Sequence, residues 1–335
     1  MSETVLVTGG TGFVGGWAIV ELLKRGYQVR TTVRDLKKED QVRRTISAET
    51  DPGDRLSVVA ADLNSDDGWP AAVAGCDYVL HVASPLTATS NEEEVIRPAV
   101  DGTLRVLRAA RDAGVRRVVY TSSCAAVYYG HPEHTGPFDE TSWTDVNGEP
   151  MSAYVKSKAL AERAAWDFVA AEGGKTEFTT VNPTGIFGPA LGNDVPSSLR
   201  LIEQLTSGKT PAVPDLWFGI VDVRDVVDLH IRAMTSPDAG GERYIASTDG
   251  TVAMIDVARV LRERLGDKGS KVPTRKLPSW IFRIVARFNV ELGDLVPLLG
   301  ARRNATGAKA RNQLGWSPRP WQDAVVASGE NVTRV

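Results

Sequence analysis

Two cysteines in 335 residues, Cys76 and Cys124, are too few for a disulfide framework and suit a reducing compartment. An excess of either charge is also missing. Lys and Arg total 39 against 42 Asp and Glu, a formal net charge of −3, and the isoelectric point is near 5.9. Such a balance offers no basic face to a polyanion, so nucleic acid is not an expected partner. No apolar run is long enough to span a bilayer. The opening MSETVLVTGG lacks the basic-then-apolar pattern of a leader. Internal repeats and low-complexity tracts are absent as well. Together these absences predict a cytoplasmic protein with no membrane partner. What is present is ordinary globular composition, 42% hydrophobic and 24% charged, enough for one large domain or two modest ones.

Short apolar strands alternate with amphipathic helices through the first half. Strands are expected at 4–9, 27–34, 55–63, 76–84, 115–123 and 177–184, and helices at 13–26, 69–74, 94–113 and 151–172. The alternation predicts an α/β fold, a Rossmann-type doubly wound parallel sheet with helices on both faces. Past 183 the pattern loosens around Pro189, Pro196, Pro211 and Pro214. A strand-then-helix signal resumes at 218–234, with a strand at 241–247 and a helix at 255–266. This reads as a dinucleotide-binding domain over 1–185, with a return segment at 216–247. Residues 186–215 and 248–335 then form a smaller substrate-binding lobe. The C-terminal residues read as a short, frayed tail.

The stretch VLVTGGTGFVGGW places Gly9, Gly12 and Gly15 between the first strand and the first helix. Glycine is demanded there by a sharp turn, by the close approach of backbone to a diphosphate, and by tight helix–strand packing. The helix N-terminus adds free N–H groups and a positive dipole end. The choice of dinucleotide turns on the end of the second strand. Asp35 stands at the distance where a carboxylate would hold an NAD ribose. Arg34 precedes it, with Lys37 and Lys38 following, and a guanidinium can grip a 2′-phosphate through two hydrogen bonds. With Asp35 turned to solvent, the cofactor is NADP(H), the reading preferred over NAD(H).

The stretch AYVKSKALAERAAW sets Tyr154 and Lys158 four residues apart on a helix, hence on one face. A carbonyl reduced by hydride needs a proton donor. Tyrosine serves near neutral pH only if its pKa of about 10 falls, and a neighbouring ammonium moves it in that direction. The preceding strand ends in VVYTSS, with Ser122 and Ser123 where strand C-termini face the crevice of an open parallel sheet. A hydroxyl there can hydrogen-bond the substrate oxygen. Ser123 is the preferred serine, and a plain strand-end cap is its bland alternative.

These motifs carry a family likeness. The chain resembles the extended short-chain dehydrogenase/reductases, most closely their dihydroflavonol reductase, cinnamoyl-CoA reductase and microbial aldehyde/ketone reductase branch. VTGGTGFVGGW, VRTTVRD, ADL, HVASP, VYTSS, DETSW, YVKSKALAERAAW, VNPTGIFGP and LGWSPRP follow one another in the same order. The resemblance implies Ser123, Tyr154 and Lys158 as catalytic residues. It implies Gly9, Thr11, Gly12, Phe13, Val14 and Gly15 at the diphosphate and Arg34 at the 2′-phosphate. Asp62 and Leu63 are implied at the adenine, and Val82, Ala83 and Ser84 along the cofactor. Pro183, Thr184, Gly185, Ile186 and Ser198 are implied at the nicotinamide side. In NAD-using relatives an acid stands where Val33 stands here, which also points to NADP.

One departure concerns the substrate. Where the plant flavonoid enzymes have an asparagine beyond the catalytic serine, this chain has Tyr128. That points to a carbonyl compound more apolar than a dihydroflavonol. Leu86, Tyr128, Phe187, Leu191, Trp217 and Phe218 are the candidate pocket walls. Other features carry no function in this reading. His131 and His134 stand in a loop without further ligands, so no metal is expected. Cys124 is expected to be inert core, and the basic run 262–276 a solvated face or lid edge.

The expected activity is an NADPH-dependent reduction of small or aromatic aldehydes and ketones, reversible, by a monomer or homodimer. Rival readings are an NAD-dependent nucleotide-sugar epimerase or dehydratase, a hydroxysteroid dehydrogenase, and a non-catalytic NADP sensor.

Overall fold

The computed structural model describes residues 2–85, 91–131, 136–192, 196–288, 290–293 and 295–333. In chain order, the first half contains β1 (Thr4–Val7), α1 (Phe13–Lys24), β2 (Gln28–Val33), α2 (Glu39–Ser47), β3 (Leu56–Ala60) and α3 (Trp69–Val73). It continues with β4 (Tyr78–His81), α4 (Glu92–Asp112), β5 (Arg117–Thr121), α5 (Ala153–Glu172) and β6 (Glu177–Pro183). Then come β7 (Gly185–Phe187), α6 (Ser197–Thr206), β8 (Trp217–Phe218), β9 (Ile220–Asp222), α7 (Val223–Thr235) and β10 (Arg243–Ala246). The chain ends with β11 (Val252–Ala253), α8 (Met254–Arg264), α9 (Ser279–Ala286), α10 (Val290–Gly293), α11 (Ala308–Leu314) and α12 (Trp321–Val332).

Seven strands pair in the order β10-β6-β5-β4-β1-β2-β3, and every pairing is parallel. Parallel strands need crossover helices, and these cover both faces. On one face Val5, Val7, Val119 and Val181 pack with Trp17, Ile19 and Leu23 of α1 and Val226 and Leu229 of α7. On the other, Leu6, Val79, Val118 and Phe178 pack with Ala72 of α3, Val106 and Leu107 of α4, and Ala165 and Phe168 of α5. The sheet therefore reads as near-continuous apolar runs rather than alternating ones, as both-face burial requires. The order reverses between β1 and β4, so the crevice above those strand ends is the switch point where such folds bind ligands.

A third cluster lies away from the sheet. Phe187, Ile202, Leu205, Val257, Leu261, Ala324 and Val325 pack together from β7, α6, α8 and α12. This corrects the expectation of a frayed tail. The C-terminal residues form α12, with Ala324, Val325, Ser328 and Gly329 buried. Ser328 is also tied to Gly188, accepting from its N–H at 2.7 Å. Short polar side chains such as Ser328 lower local helix propensity, and tertiary packing overrides them. Strand ends elsewhere are shorter than expected by one to three residues; past β1, β2, β3 and β4, residues such as Gly9, Arg34, Asp62, Leu63, Val82 and Ala83 leave the ladder to line the crevice.

Candidate active site

The first βα turn is shaped by backbone sterics. Gly9 has φ of +74°, a left-handed conformation that side chains rarely adopt. A Cβ on Gly15 would lie 2.3 Å from the Gly9 carbonyl oxygen, so α1 can start this close to β1 only with glycine at that position. The N-cap of α1, Gly12, offers no side-chain hydrogen bond, and the first turn holds no acidic residue. Its leading N–H groups and dipole end are thus left for an anion.

A cleft of about 470 Å³ opens over this turn. Gly9, Thr11, Gly12, Phe13, Val14 and Gly15 line its floor, Arg34 and Lys38 one end, Asp62 and Leu63 a flank, and Val82, Ala83 and Ser84 the side of β4. Tyr154 and Lys158 close the other end. One cleft therefore holds every one of these sequence-predicted residues. It fits a dinucleotide by its own construction: an uncapped helix N-terminus at the middle and cations at one end. Of the two lysines that follow Arg34, only Lys38 reaches the cleft; Asn64, Trp69 and Pro85, not singled out from sequence, also line it. Asp35 takes no part. Its carboxylate accepts from the Lys37 N–H at 2.9 Å and caps the turn that follows, leaving Arg34 and Lys38 as the charges at this end of the cleft.

At the other end, the first turn of α5 carries Tyr154, with Ser152 as N-cap. The Tyr154 side chain reaches the crevice, 46% exposed, whereas Lys158 one turn on is 6% exposed. Ser123 follows β5. Its Oγ accepts from the Ala125 N–H at 3.0 Å, so it does cap a turn. It also lies beside the Tyr154 phenol, close enough to oppose the rise of its pKa. Ser122, by contrast, turns inward and donates to Glu162.

The electrostatics differ from expectation in one respect. Burial holds the Tyr154 phenol above its ordinary value, and the neighbouring Ser123 hydroxyl is what opposes this. Although the phenol is half exposed by area, enough protein crowds its ring for desolvation to outweigh the Ser123 hydroxyl. The ammonium pays the larger electrostatic cost. Burial lowers Lys158 to about 8, with the Glu162 carboxylate opposing. His81, at the end of β4, is pushed to about 3 by burial and then by Lys158.

Several expected residues lie elsewhere. Pro183, Thr184, Gly185 and Ile186 run from the end of β6 into β7, and Ser198 sits in the first turn of α6. None of the five is among the residues lining the cleft. Leu86 falls outside the described residues. Phe187 is buried and stacks on Phe218 with ring centroids 5.9 Å apart, which places both in the third cluster as packing. Leu191 packs across α1, bordering a hollow of about 30 Å³ beside Gly12 and Gly16. Arg302 stacks 3.8 Å above the Trp217 ring, and Tyr128 packs against Phe138 and Tyr129.

A cavity of about 400 Å³ that sequence reading missed lies beside the start of α5, lined by Met151, Ser152, Val155, Tyr129, Leu298 and Arg303 among others. Its walls come from segments more than 100 residues apart, so no local spacing announces it. The His131 ring bonds the Trp143 carbonyl at 2.7 Å. Among the described residues no three His, Cys, Asp or Glu side chains converge. Nor does any described helix have the length and apolarity to cross a membrane.

The parallel sheet, the glycine turn and the Ser-Tyr-Lys grouping define a class, and comparison with known proteins agrees. The chain belongs to the NAD dependent epimerase/dehydratase family, matched over residues 5–246, and so to the extended short-chain dehydrogenase/reductases. It is 37% identical over 289 residues to an anthocyanidin reductase of Vitis vinifera, covering 81% of this chain and 83% of that one. A dihydroflavonol 4-reductase of Zea mays is 38% identical over 273 residues, 78% of this chain and 74% of the other. Among solved structures, yeast methylglyoxal/isovaleraldehyde reductase Gre2 complexed with NADPH superposes with a TM-score of 0.81 at 26% identity, covering 98% of each chain.

Proposed function

We propose that this protein is an NADPH-dependent carbonyl reductase acting on small or aromatic aldehydes and ketones. The observation that carries the reading is the single cleft with Arg34 and Lys38 at one end and Tyr154 and Lys158 at the other. The similarity to Gre2, solved with NADPH, and to two flavonoid reductases supports it.

The glycine turn would hold the diphosphate on the N–H groups of α1. Arg34 and Lys38 would hold a 2′-phosphate, and Asp62 and Leu63 would flank the adenine. Lys158 would bind the ribose hydroxyls. Bound there, the reduced nicotinamide supplies hydride. Ser123 orients the substrate oxygen through its hydroxyl. Tyr154 gives its phenolic proton to that oxygen as negative charge develops. A phenol held protonated by its surroundings suits this direction, because the acid is fully loaded at neutral pH. Lys158 stabilises the phenolate left behind. The remainder of the substrate is assigned to the neighbouring 400 Å³ cavity, which reaches α5 at Ser152 and Val155.

The test is an absorbance assay at the nicotinamide band, with NADPH and NADH, across aldehydes, ketones, ketoesters and dihydroflavonols. NADPH oxidation with at least one class, much faster than with NADH, is expected. Tight NADPH binding with no turnover on any carbonyl would point to a sensor instead.

A further inference from the structure

Glu162 stands on α5 one turn beyond Lys158 and is fully buried, with 0% exposure. Its carboxylate gathers side chains from three strands. One oxygen accepts from Ser122, just past β5, and from Asn182 Nδ2 of β6 at 2.7 Å. The other accepts from Arg243 Nε of β10 at 2.7 Å and faces the Thr180 hydroxyl of β6 at 3.3 Å. Asn182 uses its second N–H on the Ser123 carbonyl at 3.2 Å. Arg243 is held in turn by the Glu140 and Ser142 carbonyls, each at 2.7 Å, and by the Trp143 ring 3.8 Å beneath its guanidinium. The DETSW stretch, residues 139–143, thereby gains a use that cofactor binding does not explain.

A buried ion pair is a weak reason for stability, since apolar side chains of similar volume often do as well. This one ties the two elements that carry the site, α5 with Tyr154 and Lys158 and the end of β5 with Ser123, to β6 and β10. We propose that Glu162 is a positioning residue, which locks Ser123 against Tyr154 through Ser122 and Asn182 and sustains the charge of the Lys158 ammonium. This rests on the catalytic reading of Ser123, Tyr154 and Lys158 given above. Other ionisable groups around Lys158 leave that task to Glu162. His81 of β4 is neutral, with its pKa near 3. Tyr120 of β5 and Cys124 after it are both raised by burial, hence neutral too. Arg243 pairs with Glu162 itself. On α4, Asp101 and Arg105 are only half-buried, and Arg105 is paired with Asp66.

The experiment measures kcat, KM for NADPH and the pH profile of kcat in Glu162→Gln, Glu162→Asp and Tyr154→Phe. Glu162→Gln is expected to lower kcat by about 10- to 100-fold while KM for NADPH changes by less than about threefold, as loss of an orienting contact does. Its alkaline limb is expected to move about one unit towards lower pH, because the ammonium loses the neighbour that favours it. Glu162→Asp keeps the charge and should restore the limb to its wild-type position with kcat only partly recovered. Because Glu162→Gln leaves a buried guanidinium unpaired, Glu162→Gln/Arg243→Met provides a variant with neither charge, and its limb is expected to shift in the same way. A wild-type limb in both charge-free variants, or an equal limb shift in Glu162→Asp, would overturn the proposal. Tyr154→Phe separates the two levels: if it turns over normally the catalytic reading fails, whereas an inactive Tyr154→Phe beside an unaltered Glu162→Gln sinks only the positioning role.

Discussion

Two parts of the cleft, its glycine floor and its Tyr154 end, are held by different forces. At the glycine turn, geometry comes from what side chains cannot do: Gly9 takes a left-handed φ, and Gly15 leaves no room for a methyl group against the Gly9 carbonyl. At the Tyr154 end, geometry comes from what side chains do at long range. Ser122, Asn182 and Arg243 meet Glu162 across sequence separations of 20 to 81 residues. The floor is backbone already in place for an anion. The Tyr154 end is a buried polar network whose members depend on one another.

The contrast can be broken in either part. Gly15→Ala gives the largest expected effect on binding. The added methyl group forces α1 away from β1, and a displacement of about 1 Å is enough for losses on the order of 100-fold. Titration with NADPH by fluorescence should show that loss, with the circular dichroism spectrum retained. Arg34→Ala should weaken NADPH by about 10- to 100-fold, as removal of a charge-assisted contact to phosphate does. NADH should change by less than about threefold. Equal losses for both nucleotides would remove Arg34 from the 2′-phosphate.

At the Tyr154 end the prediction concerns stability. Lys158 has a folded pKa of about 8 against 10.5 for the free side chain. A lysine pKa depressed by folding costs stability below pH 8, and the cost fades as pH rises towards 10.5. Lys158→Met should therefore abolish turnover yet raise the stability at pH 7 by about 1–3 kcal/mol, read from urea denaturation. A less stable variant would mean that the ammonium is better paired than its burial indicates.

The smallest effect sharpens the picture of the sheet interior. His81 and His230 are buried neutral, with pKa values pushed to about 3 and about 4, mainly by burial. Their folded values lie below the unfolded value of 6.5, so the unfolded chain binds more protons between those limits. Stability is complete above pH 6.5 and falls on acidification towards pH 4. Each histidine contributes up to about 1.4 kcal/mol per pH unit. Denaturation midpoints from pH 7 to 4.5 should decline, and His230→Gln should flatten the decline in part.

The same contrast explains what could be read from residues in order. The glycine turn, the parallel sheet and Arg34 were legible because each is a local demand: a strand, a turn that only glycine satisfies, a charge at the strand end. Tyr154 and Lys158 were legible through helical spacing combined with their place after β5. That Lys38 rather than Lys37 reaches the cleft was not, since the Asp35 cap that turns the chain there is a side-chain event. Of the two serines at the end of β5, Ser122 donates inward to Glu162, whereas Ser123 lies beside the Tyr154 phenol, a difference that strand position alone did not show. Nothing local in the sequence marks Glu162, because the partners that make it costly and useful come from three strands. Substrate walls were least legible. Aromatics such as Phe187 and Phe218 satisfy the same composition whether they line a pocket or, as here, stack on each other in a core.

The central claim is that the Tyr154 hydroxyl delivers its proton in the cleft that binds the nucleotide. Tyr154→Phe, assayed for NADPH binding by fluorescence and for carbonyl turnover by absorbance, tests it most directly. NADPH affinity within about threefold of wild type, with kcat lower by about 100- to 10,000-fold, is the predicted result. Turnover within about threefold of wild type would contradict the account.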